Sequence, residues 1–271
     1  MVAGCAPRGN ATECRRLRRP GLDTPLPAPM ASSTRPFEPA CPTVSTLPLS
    51  VIIPLGPGET AWRALLGDLD ALSAEHEVLL VGAGEPAPED FEESNRQRAV
   101  PPRWLSAATG RASQQNAGAE AARGRWLCFL HADSRLPPAA LAQLAALPQR
   151  EPGLYYFDLR FAADGPRLMA LNTVGAWLRS RCLGLPFGDQ GLCLPKAEFV
   201  RLGGFDTALS RAEDHALVWA AHRAELPVRS LRAPILTSAR RYAEHGWLRT
   251  TLRFVWLSLR QATAFSRGQR L

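Results

Sequence analysis

Asp133 is the carboxylate with the clearest chemical setting in this sequence, because it follows the apolar run at residues 126–130 in the segment WLCFLHADSRLPP. A run of this length and aromatic content predicts a buried strand of a parallel sheet. Polar groups at the carboxyl end of such a strand lie where open α/β sheets bind their ligands. The placement favours a metal-binding or phosphate-handling role for Asp133, although a carboxylate that caps the following turn would look the same.

Three further groups of polar residues have types and spacing suited to chemistry. Glu213 and Asp214 open a predicted helix, where acidic side chains also complement the helix dipole. The segment GDQG at 188–191 places Asp189 and Gln190 between glycines that allow close backbone approach, although a plain β-turn looks similar. An arginine and two amides near the start of another predicted helix suit ribose and diphosphate oxygens, or serve only as caps and solvated groups. These residues are Arg111, Gln114 and Asn116.

The elements that must position these residues alternate between strand and helix. Runs that predict strands occur at 49–54, 77–81, 103–105 and 126–130. Each is followed by a turn and a helical pattern, which indicates βαβ units and an α/β fold with a mostly parallel sheet flanked by helices. The later part predicts an antiparallel strand at 155–161, helices at 167–181 and about 213–225, two short strands and a long carboxyl-terminal helix.

Composition divides the chain into three parts. Residues 1–47 are rich in Pro, Arg, Ser and Thr without periodicity, which predicts a disordered basic tail. Residues 48–245 form the predicted globular domain, and residues 246–271 the carboxyl-terminal amphipathic helix. The start lacks the apolar stretch of a secretory signal, and no apolar run reaches the roughly 18 residues of a membrane span, so we expect a cytoplasmic protein.

The net charge of +7 is concentrated at the ends of the chain. From Arg240 onward, seven arginines face a single glutamate. Nucleic-acid-binding proteins carry their positive charge on the recognition face itself, so this distribution argues against a nucleic-acid partner.

The predicted carboxyl-terminal helix combines a basic stripe with an apolar face. Its arginines at 249, 253, 260 and 267 fall within about 40° of one another at 3.6 residues per turn, beside leucine, valine and tryptophan side chains. A basic stripe next to an apolar face suits the surface of an anionic bilayer, which would make the protein peripheral to a membrane. A helix docked on its own domain, with the arginines in water, is the alternative.

In this order and spacing, several segments resemble the family 2 glycosyltransferases of GT-A fold, and more closely the small bacterial branch associated with arsenosugar biosynthesis. The resemblance extends from residue 49 to about 265 and is carried by GRASQQNAGAEAARG, FLHADSRLP, GLPFGDQGLCLPKAEFVRLGGF, AEDHAL and TSARRY. It implies a GT-A, Rossmann-like sheet. It also implies transfer of a sugar from a nucleoside-diphosphate-sugar to an unidentified acceptor, which could lie at a membrane.

The resemblance also implies how the donor is held. The family binds a divalent cation through a DxD motif at the end of the fourth strand, and His131-Ala132-Asp133 matches that motif. Asp133, helped by His131, would therefore hold Mg²⁺ or Mn²⁺ together with diphosphate oxygens and water. The other residues implied to contact the nucleotide-sugar are Pro54, Glu59, Arg111, Gln114, Asn116 and Ala132.

The same resemblance implies the catalytic and acceptor residues. Asp214, with Glu213 beside it, matches the base of an inverting transfer, which takes the proton of the attacking acceptor hydroxyl. Asp189 and Gln190 match the segment that lines the sugar and acceptor side. Arg240 and Arg241 match a diphosphate-binding element of related enzymes only loosely, and a solvated basic turn is the alternative.

Two positions depart from the family's pattern. The first loop normally reads PxxNEE, whereas PLGPGE keeps only Pro54 and Glu59. The second strand normally ends in an aspartate that accepts a hydrogen bond from the base, and Gly82 stands there. Loss of that contact would cost about 1–3 kcal/mol of nucleotide binding, which leaves the identity of the base open.

Two other classes of function remain compatible with the sequence. A non-catalytic nucleotide-sugar-binding or membrane-associated protein is favoured by Gly82 and the reduced first loop, and opposed by the intact carboxylates. A nucleotidyltransferase would need a Gly-rich loop with Arg or Lys directly after the first strand, whereas no basic residue follows that strand before Arg63.

Overall fold

The computed structural model describes residues 47–209 and 211–266. The tail predicted at 1–47, except for Leu47 at the start of β1, and the last predicted helical residues, 267–271, lie outside these ranges. The strands are β1 (Leu47–Leu55), β2 (His76–Ala83), β3 (Arg103–Ala107), β4 (Gly124–Phe129), β5 (Leu154–Phe161), β6 (Leu192–Pro195) and β7 (Val228–Thr237). The helices are α1 (Trp62–Leu69), α2 (Phe91–Asn95), α3 (Arg111–Ala121), α4 (Pro138–Ala145), α5 (Met169–Cys182), α6 (Lys196–Arg201), α7 (Glu213–Arg223), α8 (Arg240–His245) and α9 (Trp247–Ser266).

One sheet contains the seven described strands, in the order β3-β2-β1-β4-β6-β5-β7. β1 pairs in parallel with β2 and β4, and β2 pairs in parallel with β3. The predicted α/β fold with a mostly parallel sheet flanked by helices is confirmed. β6 pairs antiparallel with both β4 and β5, whereas β5 and β7 are parallel. The antiparallel direction predicted for residues 155–161 is therefore correct for only one side of β5, and the strand that reverses direction in the sheet is β6.

The two short strands predicted after α7 form one strand, β7. Its pairing with β5 shifts register between Tyr156, which faces Ser230, and Asp158, which faces Pro234. Arg232 lies in the extra length with a left-handed φ of 56°. A bulge of this kind interrupts the alternating pattern without ending the strand, and the edge position tolerates the missing amide of Pro234.

The core has two layers of side chains, one on each face of the sheet. Alternate residues of β1 point to opposite faces, so Val51 and Ile53 pack with α1 and α4 while Ile52 packs with α3. The approach of α3 is close, because a Cβ atom placed on Gly118 would lie 2.5 Å from Ile52 Cγ2. This tight contact fixes the start of α3 beside the carboxyl ends of the strands.

The carboxyl-terminal helix begins where the sequence predicts. Gly246, with a φ of 82°, separates α8 from α9, which starts at Trp247. No helix within residues 47–209 and 211–266 combines the length and apolar character that crossing a bilayer requires.

The buried carboxylate of Glu77 connects neighbouring segments at the end of the sheet where the parallel strands begin. The residue is 3% exposed and accepts hydrogen bonds from Ser50 Oγ at 2.6 Å and from the Arg123 amide and Nε at 2.8 and 2.9 Å. Arg103 completes the cluster with a further ion pair. Burial opposes ionisation, but these donors outweigh it and lower the pKa of Glu77.

We expect Glu77→Gln to reduce the free energy of unfolding by about 2–4 kcal/mol at neutral pH, because the substitution removes the partner of two arginines. The folded-state pKa lies below the usual value of 4.5, so this contribution is present above that value and is lost as the pH falls through the folded-state pKa. Urea unfolding at neutral and acidic pH measures both effects. The exposed neighbour Glu75, changed to Gln, is the control, and equal losses in the two variants would contradict the prediction.

Candidate functional site

The site is built at the edge where the parallel strands end. The loop that follows β4 carries His131 and Asp133, and a 3-10 turn at Gly188–Gln190 directly precedes β6. Because β6 is antiparallel to β4, with Leu192 opposite Phe129, the start of β6 lies at the end of β4. Two segments far apart in sequence therefore meet at one edge of the sheet.

Gly188 is the point at which three segments with predicted site residues come into contact. Its amide donates a 2.6 Å hydrogen bond to Asp214 Oδ2, which joins the turn to the start of α7. A Cβ atom placed on Gly188 would lie 3.0 Å from Asp214 Oδ2 and 3.2 Å from His131 Nε2. A side chain at this position would require the carboxylate or the imidazole to shift by a few tenths of an ångström, so glycine suits this close contact.

Asp214 is held in place as a carboxylate at the amino terminus of α7. Besides the Gly188 amide it accepts a 2.9 Å bond from the amide of His215 through Oδ1. Burial opposes its ionisation, but His215, the two amides and Arg111 together lower its pKa. Burial also lowers the pKa of His215 to about 4, so that imidazole is neutral at pH 7 and the amides and Arg111 keep Asp214 ionised there.

A left-handed residue turns the chain into α7. Ala212 has a φ of 70° and is buried, although left-handed backbone costs a residue with a Cβ atom about 1–2 kcal/mol. Strain of this kind persists where the surroundings fix the conformation, and it concentrates at functional sites. Here it directs the first turn of α7 toward the edge of the sheet.

Glu213 is 3% exposed and lies beside the arginine at the start of α3. Arg111 Nη1 is 3.3 Å from Glu213 Oε1, an ion pair without hydrogen-bond geometry. Burial and the neighbouring Asp214 raise the pKa of Glu213, while Arg111 opposes the shift. Arg111 therefore links the amino termini of α3 and α7 and contributes positive charge to the carboxylate cluster.

Asp189 is a half-buried acid with an incomplete set of partners. Its Oδ1 atom is buried and makes no hydrogen bond within the described residues. Burial raises the pKa of Asp189 to about 6, with Asp214 and Asp133 adding to the shift and Arg179 and Arg111 opposing it. Asp133 and Asp214 are therefore both close enough to Asp189 to act on its ionisation.

Arg179 is a site residue that the sequence analysis missed. It extends from α5, donates to Gln190 Oε1 at 3.1 Å and to the Leu185 carbonyl, and stacks 3.3 Å above the Phe187 ring. Burial lowers its pKa, while Asp189 and Asp214 oppose that shift. In the sequence Arg179 is one of two arginines near the end of a predicted helix, a position typical of a solvated charge, and no motif marked it.

Several predicted ligand-contacting side chains are bonded to the protein's own backbone. The two amide hydrogens of Gln114 go to the carbonyls of Leu55 and Val81, which clamps the ends of β1 and β2. Asn116 pairs with the amide and carbonyl of Phe205. Gln190 donates to the Phe157 carbonyl and accepts from Arg179. These three amides position the site, and their contact with a ligand stays a prediction.

Other predicted residues lie at the margins of the site. Glu59 accepts hydrogen bonds from the amides of Thr60 and Ala61, which organises the turn before α1. Pro54 lies within β1, Ala132 is buried, and Arg240 is exposed and bonded to Ser238. Arg241 is exposed but close enough to lower the pKa of His131. Arg241 therefore adds positive charge to the site, whereas Arg240 does not contact the other site residues.

The space next to Gly82, where the resemblance implies an aspartate, is filled by an aromatic ring. A Cβ atom placed on Gly82 would lie 2.8 Å from Trp104 Cζ2. The Trp104 ring is itself fixed by edge contacts with Trp62 and Phe91 and by a hydrogen bond from Nε1 to the Glu85 carbonyl. An acidic side chain at position 82 would therefore require this ring to move.

The donor set fits a divalent cation only if a ligand supplies further oxygens. No group of three or more His, Cys, Asp or Glu side chains suited to a metal ion occurs in the described part of the chain. His131 Nε2 is buried without a hydrogen bond, and burial lowers the pKa of His131 to about 4, which leaves a neutral imidazole at pH 7. Mg²⁺ and Mn²⁺ can be held by one or two protein groups plus phosphate oxygens and water. Asp133 and His131 are compatible with such a shared site.

We expect Asp189→Asn to raise the free energy of unfolding by about 1–2 kcal/mol above pH 7, because it removes a partly buried charge whose pKa is raised. The folded-state pKa of about 6 lies above the usual 3.8, so the wild type loses stability as the pH rises between these values. Thermal unfolding from about pH 4 to pH 8 measures the effect, which should vanish at the acid end. Asp90, whose ion pair with Arg63 is exposed, provides the Asp→Asn control. An advantage that does not change with pH would contradict the prediction.

Comparison with known proteins agrees with this geometry in part of the chain. A family model described as Glycosyl transferase family 2 matches residues 103–186. The matched segment contains β3, α3, β4 and Asp133, and ends before the turn at 188–190 and before Asp214. No curated protein matches the chain. The narrower resemblance to the branch associated with arsenosugar biosynthesis stays a prediction.

Solved structures similar to this chain include several of the S. aureus protein TarS. The structure of TarS 1-349 has a TM-score of 0.56 and 17% identity, and the match covers 71% of this chain and 60% of that chain. The same fragment in complex with UDP-GlcNAc gives a TM-score of 0.55 and 18% identity, with 71% and 58% covered. This chain thus spans well under two thirds of the TarS fragment.

A third similar structure comes from an archaeal enzyme. The mannosyltransferase PcManGT from Pyrobaculum calidifontis, in complex with GDP-Man and Mn²⁺, has a TM-score of 0.51 and 17% identity, with 76% of this chain and 60% of that chain covered. At these identities the likeness concerns the fold. The chain has the GT-A fold, and its residues 103–186 match the family 2 glycosyltransferase model.

Proposed function

We propose that this protein is a glycosyltransferase that moves a sugar from a nucleoside-diphosphate-sugar to an acceptor hydroxyl. The observation that carries the proposal is the contact of Gly188 with Asp214 and His131 at the carboxyl edge of a GT-A sheet, next to Asp189, whose pKa both Asp133 and Asp214 raise. The family match over residues 103–186 supports it, as do structural neighbours that were solved with UDP-GlcNAc or GDP-Man.

The charges of the site suit a diphosphate leaving group. Arg111 stands at the amino terminus of α3, where the helix dipole also favours an anion, and Arg241 adds positive charge near His131. Asp133 and His131 would hold Mg²⁺ or Mn²⁺ against the diphosphate, and the cation would neutralise the negative charge that develops there. Arg179 holds the turn at 188–190 through Gln190 and keeps Asp189 beside the sugar.

Asp214 is the residue that we assign to proton transfer. In an inverting displacement the acceptor oxygen forms a bond to C1 of the sugar as the bond from C1 to the diphosphate breaks. Asp214 takes the hydroxyl proton. Its lowered pKa keeps it unprotonated at neutral pH, and two backbone amides fix its orientation. Glu213, held by Arg111, supports the charge and position of this base.

Trp104 beside Gly82 favours one of the alternatives, a nucleotide-sugar-binding protein without turnover, because no carboxylate is available at that position for the base. A nucleotidyltransferase has no comparable support, since the loop after β1 carries no basic residue before Arg63. The proposal also includes the predictions from the sequence that the acceptor, which is unidentified, lies close to a membrane and that the protein is cytoplasmic.

Nucleotide binding is the first expected outcome. UDP, GDP or dTDP with Mn²⁺ should raise the melting temperature, since a ligand at a hundred times its Kd stabilises by about 2.7 kcal/mol. Asp133→Asn should abolish the Mn²⁺-dependent part of the shift. Asp70→Asn, which removes only the partner of Arg98 on the surface, should leave it unchanged. If no nucleotide raises the melting temperature, with or without Mn²⁺, the result would contradict the proposed function.

Turnover is the second expected outcome. Asp214→Asn should reduce donor hydrolysis or transfer by about a hundredfold or more, because general-base catalysis contributes on the order of 10² to 10⁴ in rate. The nucleotide-dependent thermal shift should persist in this variant, which shows that the fold and the donor site are intact. Turnover at the wild-type rate would remove Asp214 from the mechanism. A wild-type chain that binds nucleotide but turns over no donor would support the non-catalytic alternative.

A further inference from the structure

The large apolar side chains that the described residues expose are confined to two segments, 168–183 and 248–259. The first coincides with α5 and its flanks, and the second lies within α9. Their exposure is extensive, reaching 59% for Leu171, 47% for Trp177, 57% for Trp256 and 64% for Leu259. Contiguous exposed apolar surface of this kind marks an interaction site.

The two helices are neighbours, because Asn172 connects them. Its side-chain oxygen accepts a 2.6 Å hydrogen bond from Trp247 Nε1, and its Nδ2 donates at 3.0 Å to Thr251 Oγ1. Asn172 lies on α5, and its two partners lie on the first turns of α9. The exposed residues of α5 and α9 therefore belong to one region of the surface.

The faces of α9 are arranged in a definite order around its axis. At about 100° per residue, Leu248, Leu252, Val255 and Leu259 fall within about 60° of one another, and Thr251, which contacts α5, lies on one side of them. The exposed arginines lie about 115° away on the other side. They are Arg249, Arg253 and Arg260. The apolar stripe of α9 thus runs between α5 and a basic rim.

The exposed face of α5 is opposite to the face that packs on the sheet. Leu171, Val174 and Leu178 recur at helical spacing on the exposed side. On the other side Ala176 and Ser180 are buried, and Ser180 accepts a 2.7 Å hydrogen bond from Tyr156 in β5. The packed face is satisfied by the domain, and the apolar face is left without a partner among the described residues.

We propose that α5 and α9 together form a docking surface for an anionic lipid bilayer. Charge distinguishes this occupant from a second copy of the chain. Neither helix contains Asp or Glu, so a two-fold contact through this face would bring two arginine rims together without compensating acids. An anionic bilayer offers complementary charge to the arginines and an apolar phase to the leucine and tryptophan side chains. The inference goes beyond sugar transfer and does not depend on it.

Vesicle flotation of the full chain tests the proposal. We expect the protein to float with phosphatidylcholine vesicles that contain phosphatidylglycerol, and to float far less with phosphatidylcholine alone. Combined Arg249→Gln, Arg253→Gln and Arg260→Gln should weaken binding by about a hundredfold, since each arginine near an anionic surface contributes about fivefold. Changing three exposed arginines outside both helices to Gln is the matched control and should leave binding unchanged. These are Arg125, Arg223 and Arg229.

Two apolar variants test whether both helices take part. Leu171→Asn with Val174→Asn on α5, and Leu252→Asn with Leu259→Asn on α9, should each weaken vesicle binding about tenfold or more. The nucleotide-dependent thermal shift should survive in both, which separates this result from failure of the proposed function. Vesicle binding unaffected by the α5 pair would overturn the joint surface. Absence of flotation would overturn the proposal, and a dimer in light scattering that the same variants dissociate would assign the face to a second copy.

Discussion

The hydrogen bond from the Gly188 amide to Asp214 is the contact on which the arrangement of the site depends. It joins the turn before β6 to the first turn of α7 with a length of 2.6 Å, and a Cβ atom on residue 188 would crowd the same carboxylate oxygen at 3.0 Å. Through the same point His131 is brought beside both segments. The left-handed backbone of Ala212 directs α7 toward this contact, and the half-buried Arg179 holds the turn through Gln190.

Much of the fold is readable from the sequence because its strongest signals are local. The apolar runs of β1, β2 and β4 and the repeated βαβ order predict a mostly parallel sheet, and the sheet is found. β6 was not predicted, because four residues between a turn and a helix carry too little pattern. The sequence pattern predicts two short strands in place of β7 for a different reason. The bulge at Arg232 interrupts the alternation of side chains by which a strand is recognised. Direction within the sheet is set by long-range pairing, which no local pattern encodes.

The sequence predicts those residues of the candidate site that belong to recognisable motifs. Asp133, Asp189 and Asp214 are predicted from their neighbours in sequence, and Asp133 and Asp214 both raise the pKa of Asp189, while the roles of the three residues stay predictions. Whether a polar side chain faces a ligand or the protein's own backbone depends on tertiary contacts. Gln114 and Asn116 therefore look like ligand groups in sequence but bond to carbonyls of other elements, and Arg179 looks like a surface charge but is half-buried and interacts with Asp189 and Asp214. Tertiary contacts reverse the meaning of both residue types.

The packing of Trp104 over Gly82 has a consequence for how this region can change. Substitutions at the two positions are coupled, because a side chain at position 82 and an indole at position 104 would occupy the same volume. Either change alone meets a penalty, the first from overlap and the second from a void beside Trp62 and Phe91. A variant with an acidic side chain at position 82 would therefore need a smaller residue at position 104. The effects of the two substitutions on stability, measured one at a time, would not add.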